Sequence, residues 1–244
     1  MDFTIEELSL NAWPALKTLF CDGWIIRLAN GYSFRSNSVN MLHPSKTDIE
    51  EKINYCDRIF TCHNIRPAYK ILGCEEHKAA EETLKNLSYE KIYETILQVC
   101  EIPKSTKRNA EGIIVSNTFD DKWKESVIRF NKIKEEHKST FKNIMDNVPD
   151  EKIVVRKVYG GETIGCGYAA LEKNYAGLFS IVVKEEFRGK GYGREIVEAM
   201  LTEAARRGIN KTYLQVDHDN NSALKLYEKF GYKEIYRYWY RVKH

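Results

Sequence analysis

The 244-residue sequence has no apolar run approaching the roughly 18 residues that span a bilayer, and it begins Met1-Asp2-Phe3-Thr4-Ile5-Glu6-Glu7, acidic where a signal peptide is basic. The expectation is a cytoplasmic protein with no membrane partner. No window packs five or six Lys or Arg together, and the net charge is only +3, so no nucleic-acid partner is expected. The six cysteines (Cys21, Cys56, Cys62, Cys74, Cys100, Cys166) form no CxxC pair and read as reduced, mostly buried small hydrophobes. Cys62-His63 with Cys74 and His77 has the wrong ligand spacing for a zinc finger or ribbon, and no metal is expected. Low-complexity segments are absent too. With 43% hydrophobic and 30% charged residues the composition is that of an ordinary globular chain, long enough for one large domain or two small ones.

What is present divides near Ile102-Pro103-Lys104-Ser105-Thr106-Lys107-Arg108-Asn109, a polar, basic, proline-containing stretch. A boundary there predicts an N-terminal α+β domain over 1–103 and a second domain over 110–244. In the first part, Asn30-Gly31 between Gly23–Ala29 and Tyr32–Val39 predicts a β-hairpin, because both residues tolerate positive φ. Helical patterns are present over Asp48–Phe60 and Ala79–Val99, separated by a short strand at Ala68–Leu72. In the second part, Thr118–Met145 reads as a helix with a break. Three strands then form an antiparallel meander: Lys152–Tyr159, Thr163–Ala170 and Leu178–Val183. A helix (Gly191–Arg207), a strand (Lys211–Val216), a helix (Ser222–Phe230) and an aromatic strand (Glu234–Val242) complete the order βββαβαβ.

The chemistry-bearing feature is the turn between the third strand and the helix after it, Arg188-Gly189-Lys190-Gly191-Tyr192-Gly193. A helix start presents unpaired N–H groups and a positive dipole end, where phosphate is stabilised. Three alternating glycines disfavour a helix start unless something must approach the backbone closely. A dinucleotide fingerprint, G-x-G-x-x-G, needs glycine where Arg194 stands and a parallel sheet from the first strand onward, and the meander argues against it.

The turn matches Q/R-x-x-G-x-G/A of the GNAT superfamily of acetyltransferases, and Asn220, Ala223, Leu226, Tyr227, Gly231 and Tyr232 match its N-x-x-A-x-x-L-Y-x-x-x-G-F/Y element. The chain therefore resembles that family over about residues 110 to 244. The resemblance implies an α/β (α+β) fold with a mixed, mostly antiparallel sheet flanked by helices. It implies an N-acetyltransferase using acetyl-CoA as co-substrate and an amine-bearing small molecule or peptide as acceptor. The backbone from Gly189 through Lys190, Gly191, Tyr192 and Gly193 to Arg194 would hold the pyrophosphate, beside Arg188. Ile181, Val182 and Val183 would pair with the pantetheine arm like an added strand. In the family fold the strands ending at Val183 and Val216 splay apart, and a freed N–H at Val182 or Val183 would stabilise the oxyanion. Asn220 would cap its helix, bond the pantetheine, or do both.

The resemblance gives Tyr227 the role of general acid to the departing thiolate. Packing is the competing reading, because Ala223, Leu226, Tyr227 and Phe230 share one apolar face. A base for the amine is sought among Asp217, His218, Glu172 and Glu185, and no sequence rule selects one. Cys166 lies mid-strand, away from the motif, so direct amine attack in a ternary complex is expected rather than a covalent enzyme intermediate. A non-catalytic acetyl-CoA sensor is the alternative function. Trp13-Pro14-Ala15, Asp22-Gly23-Trp24 and Arg35–Val39 resemble the leading, reduced half of two-domain GNAT proteins. That half lacks the glycine turn, so no second CoA site is expected, and it would help set the acceptor. Arg27, Arg35 and Asn37 are either acceptor contacts or solvated surface. Monomer and homodimer are both compatible with the sequence.

Overall fold

The computed structural model describes residues 3–102 and 110–243. The polar stretch at 103–109, where the composition predicts a domain boundary, lies outside the described residues. In chain order the elements are α1 (Thr4–Ala12), β1 (Lys17–Cys21), β2 (Trp24–Leu28), β3 (Val39–Met41), α2 (Ile49–Cys62), β4 (Ala68–Leu72), α3 (Lys78–Asn86), β5 (Glu90–Glu101) and β6 (Ile113–Ser116). Next come α4 (Asp121–Phe130), α5 (Glu135–Asp146), β7 (Lys152–Tyr159), β8 (Glu162–Glu172), β9 (Tyr175–Val183), α6 (Tyr192–Arg206), β10 (Lys211–Asp217), α7 (Asn221–Glu228) and β11 (Lys233–Val242). This is a mixed α/β protein whose strands are mostly antiparallel and flanked by helices. Its compact units are 1–97 with 217–219 and 234–244, and 98–216 with 220–233.

In the first unit β1, β2 and β3 pair antiparallel, β3 pairs parallel with β4, and β4 pairs antiparallel with β11, Tyr238 opposite Leu72. The tight hairpin is one turn earlier than expected. It closes at Asp22-Gly23, with φ 42° and 80°, so that Cys21 faces Trp24. Asn30 and Gly31 do take positive φ, 51° and 70°, but they lead into a loop held by a side chain rather than a returning strand. Asn37 Oδ1 accepts from the N–H of Ala29 (2.7 Å) and Gly31 (3.0 Å), while its Nδ2 donates to the carbonyl of Ser33 (2.9 Å). Arg27 is likewise interior, donating to the carbonyls of Arg35 (2.6 Å), Leu10 (3.0 Å) and Trp13, and burial lowers its pKa to about 10. Neither Arg27 nor Asn37 is solvated surface; both replace backbone partners that an irregular segment cannot supply itself. Asn37→Ala is therefore expected to cost about 2–4 kcal/mol, read as a fall in thermal midpoint, because it leaves buried amides unmet.

The helix expected over Ala79–Val99 ends at Asn86. Ser88 turns the chain with φ 64°, and β5 then runs from Glu90 through Ile92, Tyr93, Thr95, Ile96 and Val99. That β-branched and aromatic content outweighs the apparent helical spacing.

The second unit has the expected meander, in strand order β10-β9-β8-β7-β6. Its two faces arise from alternation along β8. Gly165 and Gly167 point at α6, where a Cβ would lie 2.7 Å from Ile196 Cδ1 and 2.9 Å from Ile196 Cγ2, so the absence of side chains lets α6 settle onto the sheet. The intervening Cys166 and Tyr168 face the other way, where fully buried Trp123 of α4 packs on Tyr168 and donates Nε1–H to the carbonyl of Gly167 (3.3 Å). The predicted break in the Thr118–Met145 helix falls between α4 and α5, at Lys132 with φ 51°. The two units share an element order: β1-β2-β3-α2-β4-α3 in one and β7-β8-β9-α6-β10-α7 in the other, each with its third and fourth strands parallel.

Candidate active site

The site is built from the end of β9, the turn after it, and α7. Along β9 the register opposite β8 shifts: Phe179 faces Tyr168, but Val182 faces Cys166 and Val183 faces Gly165. Ser180 and Ile181 therefore share one partner position, and Ser180 takes φ 50°. Such a bulge bends a strand and re-aims the peptide groups beyond it. The parallel register with β10 ends at Leu178 opposite Leu214, although the strands run on to Val183 and Asp217. Ile181 to Val183 thus lie on a stretch of β9 past its register with β10.

The turn itself is ordered by its own backbone. Lys184 N–H donates to the carbonyl of Ile164 (2.8 Å), Glu185–Phe187 form a single helical turn, and Arg188 Nε donates to the carbonyl of Val183 (3.1 Å). Gly189 and Gly191 have φ of 75° and 89°, a region that L side chains rarely adopt. Gly191 is the N-cap of α6 and makes no side-chain cap. A Cβ on either glycine would meet nothing within 4 Å, so the space in front of the turn is open. The first helical bond runs from Glu195 N–H to the carbonyl of Gly191 (3.2 Å), and helix geometry gives the amides of Tyr192, Gly193 and Arg194 no intrahelical partner. Exposed Arg188, Lys190 and Arg194 add positive charge; Arg194 also pairs with Glu198 at 2.9 Å. A positive, open nest of amides at a helix start suits an oxyanion such as a pyrophosphate.

Gly193 joins the two sequence motifs. A Cβ built there would lie 3.7 Å from Leu226 Cδ2 and 3.8 Å from Val183 Cγ2, so the motif glycine, the end of β9 and α7 meet at one point. Asn220 caps α7, its Oδ1 accepting from Ala223 N–H (3.1 Å) and from Ser222 Oγ (3.0 Å). That engages its oxygen and assigns any ligand contact to Nδ2. Tyr227 is 7% exposed, with its ring 5.7 Å from that of Tyr232. Tyr232 in turn shares a 2.9 Å hydrogen bond with Thr212, and burial holds its hydroxyl well above the usual phenol range.

Cys166 is fully buried and its thiol is pushed up to about 12, chiefly by desolvation, which leaves no thiolate for covalent catalysis at neutral pH. Of the carboxylates considered as base, Glu172 faces Tyr175, at the far end of β9 from Val183 and about 26 Å away at strand rise. Glu185 pairs with Lys132 across 3.6 Å at the surface. His218 lies between Asp217 (3.5 Å) and Asp219 (3.0 Å), and its ring Nδ1 is 3.2 Å from the carbonyl of Glu94. His77 is committed elsewhere, to Leu72 N–H (3.0 Å) and the Met41 carbonyl (2.9 Å). Sequence reasoning missed the bulge and the Arg188 clamp on Val183; no residue pattern marks a serine at positive φ.

An open amide nest after a meander, with the helix that carries Tyr227 packed against it through Leu226, is an arrangement suited to a phosphate-bearing ligand. Residues 116–232 match the Acetyltransferase (GNAT) family, and the chain carries an acetyltransferase domain of that family. Along 98% of its length the chain is 26% identical to the uncharacterized N-acetyltransferase YobR of Bacillus subtilis, covering 97% of that protein. A 59-residue segment is 36% identical to the [ribosomal protein bS18]-alanine N-acetyltransferase of Escherichia coli, covering 24% of this chain and 40% of that one. The fold is shared with a GCN5-related N-acetyltransferase from Kribbella flavida, at TM-score 0.71 and 12% identity over 98% of this chain and 94% of that one. The protein is thus an acyltransferase. No helix among the described residues is long and apolar enough to cross a membrane.

Proposed function

We propose that the protein transfers an acetyl group from acetyl-CoA to an amine, by direct attack in a ternary complex. The observation that carries this reading is the junction at Gly193, which brings the amide nest, the end of β9 and the Tyr227 helix together. The amides from Gly189 to Arg194, with Arg188 and Lys190 beside them, hold the pyrophosphate. Ile181 to Val183 pair with the pantetheine arm as an added strand, and Asn220 bonds it through Nδ2. A backbone N–H at Val182 or Val183 polarises the acetyl carbonyl, so that negative charge developing on its oxygen meets a fixed donor. Tyr227 gives its proton to the departing thiolate. The amine must lose a proton as it attacks, to a base or to water.

The acceptor is an amine-bearing small molecule or peptide; the matched ribosomal-protein acetyltransferase supports the peptide end of that range. The first unit is a reduced copy of the same fold, supported by the shared element order. Free-thiol release from acetyl-CoA across a panel of amines and N-terminal peptides tests the reading. Release that rises with an added amine supports the transferase. Tight acetyl-CoA binding with no amine-dependent release across the panel supports the sensor instead.

A further inference from the structure

The β3–α2 connection of the first unit, Leu42 to Asp48, stands at the same place in the element order as the β9–α6 turn, but it has no glycine and no open front. Instead its donors close on one oxygen. Asp22 Oδ2 lies within hydrogen-bond distance of Lys46 N (2.7 Å), Thr47 N (3.1 Å), Ser45 Oγ (3.1 Å), Thr47 Oγ1 (3.2 Å) and Lys52 Nζ (3.2 Å). Asp22 reaches this loop from the β1–β2 turn, 23 to 25 positions away in sequence, so the arrangement is no local turn motif. The Lys52 side chain is 1% exposed, sits 4.2 Å over the Trp24 ring, and bonds the Asp22 carbonyl as well. A buried ammonium is stable only beside an anion. Bonds from the Lys46 and Thr47 amides, with smaller help from Lys52 and Ser45, hold the Asp22 carboxyl far below the usual carboxylate range.

We infer that this connection is an oxyanion cradle in which the chain's own Asp22 carboxylate sits where an external phosphate or sulfate would bind. Two backbone amides, two hydroxyls and a buried ammonium, the donor set of an anion site, converge on a single carboxylate oxygen, with Ser45 Oγ shared between it and the Thr47 carbonyl (2.8 Å). While Asp22 is seated, this connection therefore binds no external phosphate. Removing the Asp22 carboxylate leaves these donors without their acceptor, and an oxyanion would restore one with Lys52 as its counter-charge.

The cradle stands whether or not the protein acetylates anything. Its test is the thermal midpoint of the full chain, wild type against Asp22→Ala, in chloride and in inorganic phosphate at matched ionic strength. Asp22→Ala should melt lower in chloride, and phosphate should raise it by about 3–6 °C more than it raises wild type. The wild-type increment measures whatever the β9–α6 turn contributes. In Asp22→Ala/Lys52→Met the extra increment should disappear. Equal increments in wild type and Asp22→Ala would overturn the inference, as would an extra increment that survives Lys52→Met. If Asp22→Ala does not fold in chloride, refolding yield reads the same question: recovery in phosphate supports the cradle, and equal failure in both salts rejects it.

Discussion

Gly191→Val is expected to raise the dissociation constant for acetyl-CoA at least about 100-fold while lowering the thermal midpoint by about 2–12 °C, the backbone strain alone. The two effects separate because of where the missing side chain would go. Gly191 has φ 89°, and a β-branched residue resists that region, at roughly 1–3 kcal/mol if it is forced there. Yet a Cβ at this position meets no atom within 4 Å beyond its chain neighbours. That Cβ projects into the open front of the nest, which in the proposed site is where the pyrophosphate would approach the amides. Binding by calorimetry and melting by scanning fluorimetry on the same sample check the split. A variant that binds acetyl-CoA as wild type does would remove the turn from the donor site.

Tyr227→Phe is expected to lower kcat by about 100-fold with KM for acetyl-CoA changed by less than about threefold. Phenylalanine keeps the ring that packs 5.7 Å from Tyr232 and removes only the hydroxyl, so a purely structural role predicts unchanged turnover. The pH profile adds a second readout. A general acid is required for the step that expels the thiolate, so the phenylalanine variant should have a kcat profile against pH that differs in shape from wild type, whereas a packing role predicts the same shape. Unchanged kcat in the variant would return Tyr227 to the core.

The parts of the molecule legible in the sequence are those whose cause is local. Arg188 to Gly193 can be read because positive φ at Gly189 and Gly191 demands glycine and a helix start carries its own dipole. The α7 element can be read because Asn220 caps by a bond three residues on, to Ala223. The glycine pair Gly160-Gly161, between β7 and β8 with φ of 57° and 82°, is a turn signal that likewise acts within a few residues. Features set by distant partners are not legible. Arg27 looks like a surface charge and is interior because the carbonyls of Leu10, Trp13 and Arg35 converge on it. Asn30-Gly31 looks like the hairpin because nothing in the sequence ranks it below Asp22-Gly23. The stretch from Leu87 to Val99 has helical spacing and becomes a strand once Ser88 turns the chain. The pairing of β11 with β4 joins residues about 170 apart in sequence, beyond any window of periodicity. In the candidate site the same division holds: the glycine turn has a motif, whereas the bulge at Ser180 has none.

A crystal structure of the full chain with acetyl-CoA bound would decide whether the glycine turn is the donor site. The pyrophosphate is expected within hydrogen-bond distance of the amides between Gly189 and Arg194, the pantetheine running beside Ile181 to Val183, and the thioester sulfur within reach of the Tyr227 hydroxyl. A pyrophosphate bound anywhere else, or a thioester sulfur out of reach of Tyr227, would contradict this assignment.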